Sequence, residues 1–156
     1  MLFVFTLKHT TIKHKGSTSE FKGERERELL AAYKAQLSKR RHKRLDYSFW
    51  EAVARTPATR FWVSVDRAVE VIRKLFRGEN PNSKSKKNIE MFADLFQVVL
   101  KEKEKNPDDK LALLVERAIR TPAPQMYITP NSAKIIISKI RKRIRATELQ
   151  HLQPFL

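Results

Sequence analysis

The sequence predicts an all-α protein built as two tandem, duplicated three-helix units of helix-turn-helix-like order. Three observations predict it. First, Arg55-Thr56-Pro57-Ala58 returns 65 positions later as Arg120-Thr121-Pro122-Ala123. Second, the match continues without a gap: Phe61-Trp62-Val63-Ser64 lies opposite Met126-Tyr127-Ile128-Thr129, Val71-Ile72 opposite Ile136-Ile137, and Lys74-Leu75 opposite Lys139-Ile140. Third, apolar residues around these segments recur at spacings of three and four, the period of an amphipathic helix. A duplicated unit presents one surface twice, which suits an extended partner better than a single catalytic pocket.

Residues 1–19 show no sustained helical period and end in Gly16-Ser17-Thr18-Ser19, so they are expected to be an extension. Residues 20–78 form the first unit. Its first helix starts near Ser19 or Glu20, where Glu20, Glu24, Glu26 and Glu28 suit the positive end of the helix dipole. Leu29, Leu30, Tyr33 and Leu37 mark its buried face, and the basic run from Lys39 to Arg44 ends it or follows it. The second helix covers about Asp46 to Ala54, with Asp46 or Ser48 as N-cap and Phe49, Trp50 and Val53 inward. Pro57 keeps the residue before it out of the helical region. The apolar triplet Phe61-Trp62-Val63 is expected to be an extended, buried connection. Ser64 caps the third helix, Ala68, Val71, Ile72 and Leu75 face the core, and Gly78 ends it.

Residues 79–87 lack large apolar side chains and are expected to link the units. In the second unit, residues 88–146, the first helix carries Ile89, Phe92, Phe96, Val99 and Leu100. Asn106-Pro107-Asp108-Asp109 makes a turn with helix-capping acids, and the second helix uses Leu111, Leu114, Val115 and Ala118. Thr129-Pro130 opens the third helix as a hydroxyl cap followed by proline at the first helical position. Ala133, Ile136, Ile137, Ile140 and Ile144 form its core stripe. Residues 147–156 are left as a tail.

Charge narrows the function. Lys+Arg 33 against Asp+Glu 17 gives a net +16 over 156 residues, which predicts attraction to polyanions. There is no cysteine, so disulfides, thiolate metal sites and cysteine nucleophiles are all excluded; this leaves the redox compartment open and is consistent with the cytoplasmic setting expected. No segment approaches the roughly 20 apolar residues of a membrane span. The apolar residues 1–7 have no basic region before them and no small-residue cleavage site after them, so a signal peptide is not expected.

Catalysis finds little footing. His9, His14, His42 and His151 share no ligand spacing, Asp108-Asp109 reads as a turn, and three glycines leave no phosphate-cradling loop. The expectation is a protein that is not an enzyme, with no catalytic residue, metal or cofactor.

The basic clusters carry the functional expectation. On the third helix of each unit one face buries and the other meets phosphates. The candidates are Arg67, Lys74 and Arg77 in the first unit, and Lys134, Ser138, Arg141, Lys142 and Arg145 in the second. Lys39, Arg40, Arg41, Lys43 and Arg44 add a connecting cluster, and Lys84, Lys86 and Lys87 another. Phe61, Trp62 and Tyr127 are expected in the core rather than stacked on bases, with Arg60 and Gln125 as the exposed residues beside them. The expected partner is nucleic acid, DNA over RNA, with a homodimer or a larger nucleoprotein assembly as a further possibility and no membrane. The alternative is a protein-interaction module that makes no nucleic-acid contact.

The order of second helix, turn and third helix is that of a helix-turn-helix, but that motif joins its helices by three or four residues. Here the connection from Arg55 to Val63 is longer. Arg25-Glu26-Arg27-Glu28-Leu29-Leu30-Ala31-Ala32-Tyr33, Arg60-Phe61-Trp62-Val63-Ser64 and Pro122-Ala123-Pro124, with Tyr127-Ile128-Thr129-Pro130-Asn131-Ser132-Ala133-Lys134, resemble a family of short uncharacterised bacterial proteins of Bacteroides type. The likeness runs from about Glu24 to Arg143. It implies no activity and no site residues, and it sets residues 1–23 apart as peripheral.

Overall fold

A computed structural model describes residues 21–39 and 44–155. They form α1 (Lys22–Lys39), α2 (Tyr47–Ala54), α3 (Val65–Phe76), α4 (Lys86–Lys105), α5 (Leu111–Ile119) and α6 (Pro130–Leu152), followed by a 3-10 turn, Gln153–Phe155. The fold is all-helical among the described residues, apart from one isolated β-bridge.

Local chemistry sets most helix ends. Asp46 Oδ1 accepts from the Phe49 N–H at 3.0 Å, Ser64 Oγ from Arg67 at 3.3 Å, and Thr129 Oγ1 from Ser132 at 3.1 Å. Each hydroxyl or carboxylate satisfies one of the amide donors that a helix start leaves without a partner. Ser85 does the same for α4. Gly78 takes φ +75°, a left-handed value that lets the Glu79 N–H reach back to the Lys74 carbonyl at 3.0 Å and close α3. The turn before α5 departs from expectation. Lys110 holds the N-cap position without a side-chain bond, and Asp109 instead pairs with Arg117 at 2.6 Å.

α6 also departs from expectation, running to Leu152 across the boundary expected after residue 146. Nothing between Arg145 and Leu152 breaks a helix, and Pro154 is the first residue that does. The buried stripe stops earlier. Ala133, Ile137 and Ile140 are buried, whereas Ile144 is 42% exposed and residues 141–154 are all exposed.

Chain order and packing part company. α1 packs on α2 and α4 on α5, but α6 packs against α1 and α2, and α3 against α4 and α5. α3 makes no helix contact with α1 among the described residues, nor does α6 with α4. The third helix of each sequence triplet therefore closes the core of the other. One continuous apolar core results, with Leu29, Phe49, Phe61, Ile72, Leu95, Leu114, Ile119 and Ile137 essentially fully enclosed. Each such side chain contributes about 1.5–3 kcal/mol on leaving water.

The two connections to the third helices meet at the centre. Ala58 and Ala123 form the β-bridge, the Phe61 N–H donates to the Ile119 carbonyl at 2.9 Å, and the Met126 N–H donates to the Ala54 carbonyl at 3.2 Å. Phe61 and Val63 are buried as expected, Trp62 is half-buried, and the Phe61 and Tyr127 rings stack at 6.0 Å. Residues 77–85 join α3 to α4, which pack on each other, and Arg67 holds the Asn82 carbonyl at 3.1 Å.

Candidate nucleic-acid interface

The expected binding residues fall into groups with different surroundings. On α3 the three expected cations are already engaged, and Arg73 alone stands exposed without an ion pair among the described residues. Glu70 pairs with Arg67 at 3.2 Å and with Lys74 at 3.5 Å, while Arg77 pairs with Glu79 at 3.3 Å. The hydrogen bond from Arg67, with the charges of Arg67 and Lys74, holds the Glu70 carboxyl below its ordinary range. Arg67 also lies 5.9 Å from the centre of the Phe92 ring, and both Arg67 and Lys74 are half-buried. With Asp66 in its first turn, α3 presents little net charge.

α6 differs. Lys134, Lys139, Arg141, Lys142 and Arg145 are exposed, and no carboxylate among the described residues lies in ion-pair range of any of them. Arg141 is placed by an aromatic neighbour: its guanidinium sits 5.9 Å from the Tyr33 ring. Tyr33 in turn stacks on Trp50, so α1 and α2 together fix where this part of α6 stands. On the opposite flank Arg143 pairs with Glu26 of α1 at 2.6 Å. Ser138 is exposed among the cations and shares a shallow recess of about 450 Å³ with Lys134, Ile135, Lys139 and Lys142.

A wider groove of about 710 Å³ separates α6 from the start of α1, walled by Lys22, Lys139, Lys142 and the Glu26–Arg143 pair over a floor of Ile136 and Ala146. Lys22 and Lys139 were not singled out by spacing. Lys139 had a signal, because it occupies the register position of Lys74; Lys22 had none, because it comes from 117 residues earlier in the chain.

Of the connecting cluster, Lys39 is exposed at the end of α1 and Arg44 is exposed before α2, while Arg40, Arg41 and Lys43 lie outside the described residues. Lys84 and Lys86 are exposed, but Lys87 is half-buried and held by Glu90 and Gln125 at 3.4 Å. Arg60 and Gln125 are not the open residues that the sequence suggests. Arg60 is half-buried with its guanidinium 4.1 Å from the Phe21 ring centre, and Gln125 donates to Glu90 at 3.2 Å. An apolar connection needs flanking polar groups folded over it, and these two supply them.

Tyr127 is buried at φ +54°, and its hydroxyl donates to Asp94 Oδ2 at 2.5 Å. Burial, and then the negative charge and hydrogen bond of Asp94, push its phenol well above the ordinary tyrosine range. It is a structural group of the core. No cluster of three metal-ligating side chains occurs among the described residues, and no described helix is long and apolar enough to cross a membrane.

Compared with known proteins, the chain matches no family model, no curated protein and no solved structure. The site therefore rests on its own chemistry: a set of exposed cations on one helix, of which Arg141 lies against the Tyr33–Trp50 pair.

Proposed function

We propose that the protein binds nucleic acid without catalysis, double-stranded DNA in preference to RNA, and that it does so mainly through α6. The observation that carries this reading is the contrast between the two third helices. α3 spends Arg67, Lys74 and Arg77 on Glu70 and Glu79, whereas no carboxylate among the described residues pairs with Lys134, Lys139, Arg141, Lys142 or Arg145 on α6. Self-neutralised cations release few counterions on meeting phosphate, and unpaired ones release about one each. The basic faces of the two units are thus unequal partners.

The same reading treats the chain as a tandem duplication whose third helices have been exchanged. The reciprocal hydrogen bonds among Ala54, Ala58, Phe61, Ile119, Ala123 and Met126, each pair related by the 65-residue shift, support that origin.

The direct test is to reverse charge at Arg141, Lys142 and Arg145 together and titrate labelled duplex DNA. Binding weakens for every sequence and its salt dependence flattens. Parental binding by a folded triple variant removes α6 from the interface.

A second reading, an assembly module without nucleic-acid contact, is favoured by the apolar residues that the core leaves out, Leu149 at 65% and Leu152 at 55% exposure. Light scattering tests it: a stable dimer that ignores DNA supports that reading, and a monomer that binds DNA rejects it.

A further inference from the structure

We infer that α6 lies lengthwise in the major groove of a B-form duplex, with one strand's phosphates against Lys134, Arg141 and Arg145 and the other's against Lys139 and Lys22. This rests on the duplex-binding reading and adds a groove and an orientation to it. Charge falls on both flanks of the exposed face of α6. Successive α-helical residues are about 100° apart, so, counted from the buried Ala133, the first three cations fall at about 80–120° and Lys139 at about 240°. Between these flanks, at about 140–200°, run Ser138, Leu149, Lys142 and Ile135, all exposed.

A helix lying across the outside of a duplex meets phosphates on one side only. A helix about 10–12 Å across in a groove about 12 Å wide meets phosphates on both sides and base edges in front. The second flank is extended by α1, which sets Lys22 across the groove from Lys139 and Lys142. Ile135 and Leu149 also gain a use: apolar side chains have nothing to offer a phosphate, but they suit thymine methyl groups on the groove floor. Among the described residues access is open, since 141–154 are exposed throughout. The deep, narrow major groove of A-form RNA admits no such helix.

The test is anisotropy at low salt with three duplexes of equal length. They are plain DNA, the same DNA with glucosylated 5-hydroxymethylcytosine filling the major groove, and RNA. Binding is expected to be at least about tenfold weaker for the second and third, and unaffected by netropsin in the minor groove, since only the major groove is engaged. Equal binding to plain and glucosylated DNA overturns the groove placement and leaves duplex binding standing. Failure to bind any of the three overturns both. Lys22→Gln should lower the salt slope by about one without altering the circular dichroism; an unchanged slope removes α1 from the second flank.

Discussion

Ala58 and Ala123 each donate their backbone N–H to the other's carbonyl at 3.0 Å, and they are the same position of the repeated Arg-Thr-Pro-Ala segment. The two tetrapeptides thus meet. Pro57 and Pro122 keep the preceding residues extended, and the small side chains of the two alanines, both nearly fully buried, let the backbones approach. From this crossing the chain passes to the opposite half on each side, which is why α3 and α6 pack where they do.

Enlarging either alanine should therefore cost stability, and by similar amounts. Ala58→Leu and Ala123→Leu are each expected to lose about 1–3 kcal/mol through overpacking. Urea titrations followed by circular dichroism check this as a lower midpoint with an unchanged slope. A neutral effect at one site alone would show that the two sides of the crossing are not equivalent.

The packing of α3 on α4 and α5, and of α6 on α1 and α2, predicts that the two halves of the sequence unfold together. Ile137 lies in α6 but packs with the half that contains Trp50, so Ile137→Ala should cost about 2–5 kcal/mol. It should shift the tryptophan fluorescence transition and the helix signal equally. Both tryptophans, Trp50 and Trp62, belong to the first half of the sequence, so an undisturbed fluorescence transition would argue for separate units.

Arg141 on Tyr33 has a counterpart in the other half, where Phe76 meets Phe96 edge to face at 5.0 Å. Arg141→Phe should keep the packing contact and lose the charge. Stability is expected to hold within about 1 kcal/mol, since aromatic pairs and cation–ring contacts have similar worth. The salt slope of DNA binding should fall by about 0.9. Lost stability with an unchanged slope would make Arg141 a packing residue alone.

Tyr127 gives a pH signature. Its folded phenol has a raised pKa, so the folded state keeps a proton that the unfolded chain releases near pH 10. Its contribution to stability is full below that value and is lost progressively as pH rises above it. Thermal melts from pH 8 to 11 should show a decline that Tyr127→Phe makes shallower. Equal slopes for parent and variant would contradict the assignment.

Much of the fold was legible in local chemistry. Asp46, Ser64, Thr129 and Gly78 sit at helix ends because caps are decided within four residues. The partners of α3 and α6 were not legible. Periodicity tells which face of α3 is buried, through Ala68, Val71 and Ile72, but not which helix covers it. The quiet face of α3 was readable, since Glu70 stands three residues after Arg67 and four before Lys74. Glu26 with Arg143 and Arg60 over Phe21 depend on tertiary approach, and no spacing announces them. The open cations of α6 were visible as a stripe, but their lack of partners needed the surroundings.

Whether the α6 cations hold duplex DNA is tested most directly by anisotropy of a labelled duplex at about 50 and 200 mM salt. Contacts from Lys134, Lys139, Arg141, Lys142 and Arg145 predict a slope near −4 to −5, and so a loss of about 10²–10³ in affinity between the two conditions. No binding at the lower salt, or binding indifferent to salt, would contradict it.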